Sequence, residues 1–191
     1  MEEIEIKFLE IDVPELEKKL TAIGAEKAGE YDYHRATFDF PDWRLNTGHA
    51  WLRLRTDGKE TTLTYKQRLG VKANDGSISD EGMKEIEIIV DDYEKTYELL
   101  KSIGFIIKRE QENKRIKYIK DNVHYDIDFW PKIPTFLEVE GPSLAEVKEA
   151  AKELGFNPED GLIGSAKQVY KKYGFEENDY TSMTFNEWIK A

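Results

Sequence analysis

Pairs of glutamates separated by one residue occur in three segments of the sequence that alternate apolar and polar side chains. The pairs are Glu3 and Glu5, Glu85 and Glu87, and Glu138 and Glu140. Such alternation is typical of half-buried β-strands, in which residues two positions apart lie on one face. Each pair therefore places two carboxylates on the same face of a strand. Carboxylate oxygens are the ligands that hard divalent cations such as Mg²⁺ prefer.

Other strand-like segments carry further charges with the same spacing. Arg53 and Arg55 form a basic pair, and Asp126 and Asp128 form a fourth acidic pair. Lys66 also lies on a strand-like segment, and Lys7 continues the polar face of the first one. Lysine and arginine bind phosphate oxygens, arginine with a two-pronged fork. Together the acidic and basic sets predict a site for a metal-bound polyphosphate, where catalysis consists mostly of positioning and charge stabilisation.

The charged face of each strand has two interpretations. On a single strand, it is most simply the solvated side of an antiparallel sheet. Across the chain, however, most strands carry charges of one sign, and the amphipathic helices must bury their apolar stripes against the apolar sheet face. If the helices cover the outside, the charges point inward, which a wide closed barrel can accommodate. We therefore predict an α+β fold: a closed antiparallel β-barrel with helices packed outside.

The elements that position these residues follow from periodicity and from start and stop signals. Strands are predicted near 3–10, 31–39, 50–56, 61–67, 83–90, 105–112, 114–120, 123–129 and 135–140. Helices are predicted at 14–23, 92–103, 143–155, 165–173 and 184–190. The third helix opens with a capping box from Ser143 to Glu146, and the last follows a similar box from Thr184 to Glu187.

Length and composition limit the number of domains and exclude several classes of binding site. A chain of 191 residues fits one domain, and its net charge of −11 argues against broad nucleic-acid binding. The absence of cysteine excludes disulfides and thiolate chemistry. No apolar run approaches the roughly 20 residues that span a bilayer, and the sequence opens on an acidic strand, not on a signal peptide. We expect a cytoplasmic protein without a membrane partner.

The charged motifs together resemble those of the CYTH superfamily, the triphosphate tunnel metalloenzymes, which include class IV adenylyl cyclases and thiamine triphosphatases. The motifs are Glu3-x-Glu5-x-Lys7, Arg53-x-Arg55, Lys66, Glu85-x-Glu87, Arg115, Asp128 and Glu138-x-Glu140. The resemblance covers about residues 1–173 and leaves 174–191 as a C-terminal extension with a short helix. It implies an eight-stranded antiparallel tunnel that binds a triphosphate and one or two Mg²⁺ or Mn²⁺ ions.

The resemblance also implies roles for individual residues. The expected catalytic residues are Glu5, Lys7, Arg55 and Glu138. The expected phosphate-binding residues are Lys7, Arg53, Arg55, Lys66, Arg109, Arg115 and Lys167. The expected metal ligands are Glu3, Glu5, Glu85, Glu87, Asp126, Asp128, Glu138 and Glu140. One position departs from the cyclase-like pattern, because Asn113 stands where that pattern has a basic residue. Arg109 has the same strand parity and could compensate, as could Lys114 if the strand bulges.

Three functions fit these residues. A hydrolase would aim water at a phosphorus of an inorganic or organic triphosphate, and a class IV cyclase would make cyclic AMP and pyrophosphate from ATP. A non-catalytic polyphosphate or nucleotide-binding protein would keep the bases and could lose the metal acids. We favour hydrolysis, because cyclisation needs base and ribose contacts and only Trp130 suggests one. A homodimer is left open.

Overall fold

The computed structural model describes residues 4–70 and 83–191, without the side chain of Met83. The strands, in chain order, are β1 (Ile4–Leu9), β2 (Glu26–Asp39), β3 (Ala50–Thr56), β4 (Thr61–Arg68), β5 (Met83–Val90), β6 (Ile106–Lys120), β7 (Val123–Phe129), β8 (Phe136–Gly141), β9 (Tyr180–Met183) and β10 (Trp188–Lys190). The α-helices are α1 (Val13–Ala22), α2 (Arg44–Thr47), α3 (Tyr93–Ser102), α4 (Leu144–Glu153) and α5 (Ala166–Lys172), with short 3₁₀ turns at Pro158–Asp160 and Glu177–Asp179. None of the helices in the described ranges is long and apolar enough to cross a membrane.

The chain divides into two compact units. The first unit contains Met1–Asp32 and Asn113–Asp179, and the second contains Tyr33–Glu112 and Tyr180–Ala191. Strands β2 and β6 each contribute residues to both units. The mixture of one large, mainly antiparallel sheet with five helices among the described residues confirms the α+β class.

In the first unit, helices cover the apolar face of an antiparallel sheet of β1, β8, β7 and part of β6. Ile6 on β1, Ile127 on β7 and Val139 on β8 are almost fully buried in one cluster with Leu20 of α1 and Val147 of α4. These strand residues alternate with acidic or basic ones, so the polar side chains occupy the opposite face of the sheet. Helix packing thus fixes which face of these strands stays polar.

The second unit also packs a helix against one face of an antiparallel sheet. Strands β2, β3, β4 and β5 pair antiparallel in that order. Leu100 of α3 packs on Ala36 and Phe38 of β2 and on Leu54 of β3. The C-terminal segment adds a β9–β10 hairpin whose first strand lies parallel to β6.

Three structural predictions need correction. The sheet is open in the described residues, because its strand order runs from β1 to β5 and these two end strands do not pair, so the closed eight-stranded barrel is wrong. The predicted strands 105–112 and 114–120 form one continuous strand, β6. The predicted helix at 184–190 is absent, and Trp188–Lys190 forms β10. There the Thr184 hydroxyl does accept from the Glu187 N–H at 3.0 Å, but the bond closes a hairpin turn.

Gly161 holds a loop close against β1, and this suggests a first test. Leu162 and Lys7 exchange two backbone hydrogen bonds of 2.8 and 2.9 Å, which bring Gly161 against the buried Ile6 side chain. A Cβ at Gly161 would collide with Ile6 Cγ2, although the backbone there is extended and tolerates any residue. We expect Gly161→Ala to lower the free energy of unfolding by about 1–3 kcal/mol through overpacking, measured by urea denaturation.

The double variant Gly161→Ala/Ile6→Ala provides the control for this clash. Because Ile6→Ala removes the Cγ2 atom, the double variant should lose less stability than the sum of the two single variants. Additive losses would show that the Ile6 contact does not restrict position 161.

Candidate metal centre and anion site

The polar face of the first unit gathers acids from three strands. Register places Glu5 of β1 opposite Glu140 of β8, and Lys7 opposite Glu138. Asp126 of β7 in turn lies opposite Glu138. Glu5, Glu138 and Glu140 each offer a carboxylate oxygen, and these three oxygens lie within 4.8 Å of one another. This metal triad provides the hard oxygen ligands that suit a divalent cation.

Lys7 joins two members of the metal triad. Its side chain is 2% exposed, and its Nζ lies 3.0 Å from Glu138 Oε2 and also contacts Glu5. Burial opposes the charge of Lys7, but the two carboxylates outweigh it and raise its pKa. Burial raises the pKa of Glu5 to about 7, with a further contribution from the negative charge of Glu138. Burial also opposes the charge of Glu138, yet Lys7 and Arg115 lower its pKa.

Arg115 of β6 is bonded to three carboxylates. Its Nε donates to Asp128 Oδ1 at 2.9 Å, its Nη1 to Asp126, and its Nη2 to Asp128 and, at 3.3 Å, to Glu138. Asn113 donates to the same Asp128 oxygen at 3.2 Å. Arg115 thus holds the acids in place in this structure, while its predicted phosphate-binding role stays a prediction.

Asp126 differs from its neighbours in having an oxygen without a partner. It is 1% exposed, and its Oδ1 accepts no hydrogen bond within the described part of the chain. Burial raises its pKa to about 6, although Arg115 and Lys117 oppose the shift. Buried carboxylate oxygens are normally satisfied, so this atom is available to a ligand or a water molecule.

The charges of this face favour a cation. Among the described residues, five carboxylates, those of Glu5, Asp126, Asp128, Glu138 and Glu140, face the three basic groups of Lys7, Arg115 and Lys117. The formal excess of two negative charges equals the charge of one divalent cation. The triad, the unpartnered Asp126 oxygen and this excess therefore fit the predicted Mg²⁺ or Mn²⁺.

The raised pKa of Glu5 predicts pH-dependent metal binding. Below about pH 7 Glu5 is mostly protonated, and a cation must displace that proton before it can bind. We expect the affinity for Mg²⁺ alone to fall by about tenfold per pH unit below pH 7 and to level off above it. Calorimetric titration with Mg²⁺ between about pH 5.5 and 8.5 would measure this. Glu5→Gln should abolish the dependence between about pH 6 and 7, where only Glu5 is expected to change its protonation, and a pH-independent wild-type affinity would contradict the prediction.

The polar face of the second unit is mainly basic. Register aligns Arg53 of β3 with Thr64 of β4 and Glu87 of β5, and aligns Lys66 with Glu85. Lys66 Nζ lies 2.9 Å from Glu85 Oε2, and Thr64 donates to Glu87 at 2.6 Å. The two acids of β5 are therefore bonded to β4 and not to the arginines of β3.

Sequence reasoning missed Arg35 and Tyr33, which complete this basic face. Arg35 on β2 lies directly opposite Arg55 on β3. The Tyr33 ring faces both guanidiniums, with its centroid 4.9 Å from the Arg55 carbon and 5.8 Å from the Arg35 carbon. Burial, and then the charge of Arg55, lower the pKa of Arg53 to about 10. The alternation of Tyr33 and Arg35 within predicted strand 31–39 was the signal that could have found them.

Among the described residues, the polar face of the second unit carries Arg53, Arg55 and Lys66 together with Glu85 and Glu87. Arg53 and Arg55 lie two residues apart on this face, and the charge of Arg55 adds to burial in lowering the pKa of Arg53. A bound anion would relieve this repulsion, so the face is suited to phosphate oxygens.

The remaining predicted site residues lie elsewhere. Glu3 is outside the described residues, and Glu85 and Glu87 belong to the second unit, not to the unit of the metal triad. Arg109 is buried, and its Nε donates to the Tyr180 carbonyl at 3.3 Å. Lys167 is exposed on α5.

Trp130, which the sequence suggested for stacking on a base, is 8% exposed. Its ring packs edge-on against Tyr170 with 6.0 Å between the ring centroids. It is therefore a packing residue in this structure.

Comparison with known proteins gives one family and several structures. The sequence model of the CYTH domain matches residues 1–169. No curated protein matches the chain. The PH1012 protein of Pyrococcus horikoshii has a similar structure, with a TM-score of 0.67 and 22% sequence identity over 88% of this chain and 99% of its own.

Two further solved structures are similar. A Vibrio parahaemolyticus protein described as an adenylate cyclase candidate has a TM-score of 0.70 and 14% identity, over 88% of this chain and 97% of its own. The Hippeastrum protein HpAC1, described as an adenylyl cyclase candidate with a dominant triphosphatase activity, has a TM-score of 0.61 and 18% identity, over 93% of this chain and 99% of its own. At these identities the likeness establishes the fold.

Proposed function

The chain belongs to the CYTH domain family, and from that premise we propose that it is a metal-dependent phosphohydrolase of triphosphates. Its substrate would be an inorganic or organic triphosphate, such as tripolyphosphate, a nucleoside triphosphate or thiamine triphosphate. The observation that carries the proposal is the presence of two kinds of charged face among the described residues. The first unit presents a triad of carboxylates, and the second unit presents Arg53, Arg55 and Lys66. A triphosphate and a divalent cation need these two kinds of partner.

The metal triad of Glu5, Glu138 and Glu140 would hold the cation. A bound Mg²⁺ or Mn²⁺ supplies charge neutralisation at the phosphate oxygens. Lys7 and Arg115 keep the acids oriented and hold Glu138 ionised through direct bonds. Ionised carboxylates are required for metal binding, so these two bases support the ligands even where they do not touch substrate.

Asp126 would orient and deprotonate the attacking water. Its buried Oδ1 has no partner within the described residues, and its pKa of about 6 lies near neutral pH. A general base works best when its pKa is close to the operating pH. Asp126 therefore combines an available acceptor atom with a suitable basicity.

Arg53, Arg55 and Lys66 would bind phosphate oxygens on the second unit. No ion pair within the described ranges includes Arg53 or Arg55, and Arg53 Nε is buried without a partner. Charge-assisted hydrogen bonds to phosphate are roughly twice as strong as neutral ones. These donors could therefore hold the substrate and stabilise the charge that develops during transfer.

Hydrolysis is favoured over cyclisation by the surroundings of Trp130 and Asn113. Trp130 packs against Tyr170, and Asn113 is bonded to Asp128, so neither adds a contact to a nucleoside. Cyclisation needs the ribose hydroxyl held in line with the α-phosphorus. Hydrolysis needs only the triphosphate, the cation and an oriented water.

Incubation with a panel of triphosphates and Mg²⁺ or Mn²⁺, with products separated by chromatography, tests the proposal. We expect orthophosphate release that requires the cation. Cyclic AMP as the main product from ATP, with negligible orthophosphate, would instead assign a class IV cyclase. Binding without turnover of any triphosphate would assign a non-catalytic binding protein.

A further inference from the structure

Thr62 carries a buried hydroxyl without a partner in the second unit. It is 5% exposed, and its Oγ1 is shielded from solvent and makes no hydrogen bond within the described residues. Buried hydroxyls are nearly always hydrogen-bonded, because an unmade bond leaves the desolvation penalty uncompensated. Thr62 was not among the residues that the sequence motifs identified, so its hydroxyl needs an explanation of its own.

Register places this hydroxyl on the basic face. Thr62 lies opposite Arg55 on β3 and opposite Ile89 on β5. Ile89 has no side-chain hydrogen-bonding group, and Arg55 can only donate. Two residues further along β4, Thr64 does have an acceptor in Glu87. Thr62 therefore has no carboxylate opposite it on β3 or β5, whereas the Thr64 hydroxyl donates to the Glu87 carboxylate.

A second donor on the same face is also unsatisfied. Arg53 Nε is buried and without a partner within the described chain, and Arg53 shares its strand face with Arg55. Two unpartnered donors beside a guanidinium form a site that suits a negatively charged acceptor. A phosphate group offers several oxygens, which can accept from an arginine fork and from a hydroxyl at once.

We propose that Thr62 is a further anion-binding residue, whose hydroxyl donates to an oxygen of a phosphate held by Arg53 and Arg55. The inference rests on the proposed function, because it adds a neutral donor to the phosphate-binding face of the second unit. The long Arg55 side chain opposite Thr62 can change its rotamer to admit the anion. The ligand-free protein then keeps an unsatisfied hydroxyl that the substrate satisfies.

Thr62→Val tests this, because it removes the hydroxyl and keeps the β-branched shape. We expect the Kd for tripolyphosphate, measured by calorimetry without metal, to rise by about 10-fold to 100-fold, the range for a hydrogen bond to a charged group. The Tm of the ligand-free protein should stay the same or rise, since valine has no unsatisfied group to bury. Thr62→Ser keeps the donor and should bind like the wild type.

Thr61→Val is the matched control. Thr61 is the preceding residue on β4, is 8% exposed, and points to the opposite face of the strand. The same chemical change there should leave the Kd for tripolyphosphate unchanged.

Three results would overturn the inference. If Thr62→Val binds tripolyphosphate like the wild type while Arg55→Ala binds weakly, the face is an anion site that does not use Thr62, and the proposed function stands. If Thr62→Val lowers both the Tm and the affinity, Thr62 is a structural residue. Failure of the wild type to bind tripolyphosphate without metal would reject the inference, and failure to bind any triphosphate with Mg²⁺ or Mn²⁺ as well would also reject the proposed function.

Discussion

Replacing Glu138 with glutamine is expected to lower metal-dependent hydrolysis of tripolyphosphate by at least about 100-fold at limiting metal. Loss of a residue that merely supports a metal ligand typically costs about 10-fold to 100-fold, and Glu138 is itself a member of the metal triad. The change also leaves the buried Lys7 with Glu5 as its remaining acidic partner. Orthophosphate release across a Mg²⁺ or Mn²⁺ titration would measure the effect.

Glu5→Gln should behave in the same way, since it removes a second member of the triad. Glu153→Gln is a suitable control in the same unit, because Glu153 is half exposed and pairs with Lys120 on the surface. The Tm without metal would show whether each variant is folded. Near wild-type activity of both Glu5→Gln and Glu138→Gln at limiting metal would show that the triad does not hold the cation.

Arg55→Ala is expected to weaken triphosphate binding and to lower kcat/KM by about 10²–10³, the loss typical of one donor in a preorganised charged site. Arg55 lies between Arg35 and Thr62 in the strand register and is oriented by the Tyr33 ring. Removing it therefore takes away a positive charge and a two-pronged donor together. Steady-state kinetics and direct calorimetric binding of tripolyphosphate would separate the effect on KM from that on kcat.

Arg44→Ala is the matched control for this loss of charge in the second unit. Arg44 is exposed, and its guanidinium pairs with Asp42 and lies over the Phe40 ring. It should leave binding unchanged. Equal weakening by Arg44→Ala and Arg55→Ala would mean that overall charge, and not the basic face of β3, attracts the substrate.

The strands and their polar faces could be predicted because strand geometry is local. Alternation alone placed Glu5 and Lys7 on the face opposite Ile6, and the structure buries Ile6 in the helix-covered core. Local signals also located the helix that begins after Ser143, whose hydroxyl accepts from the Glu146 N–H at 3.2 Å. The same kind of signal failed at Thr184, because a short turn can satisfy it without a helix.

The sequence by itself thus determined which residue types share a strand face, because successive side chains point to opposite sides of any strand. Only the tertiary structure decided which strands meet. Glu5 and Glu138 are far apart in the chain, and the β1–β8 register brings their carboxylates together. The tertiary structure also decided that Arg115 is bonded to three acids and that the sheet of the described residues ends at β1 and β5. Pairing and register depend on packing between distant segments, which no local pattern encodes.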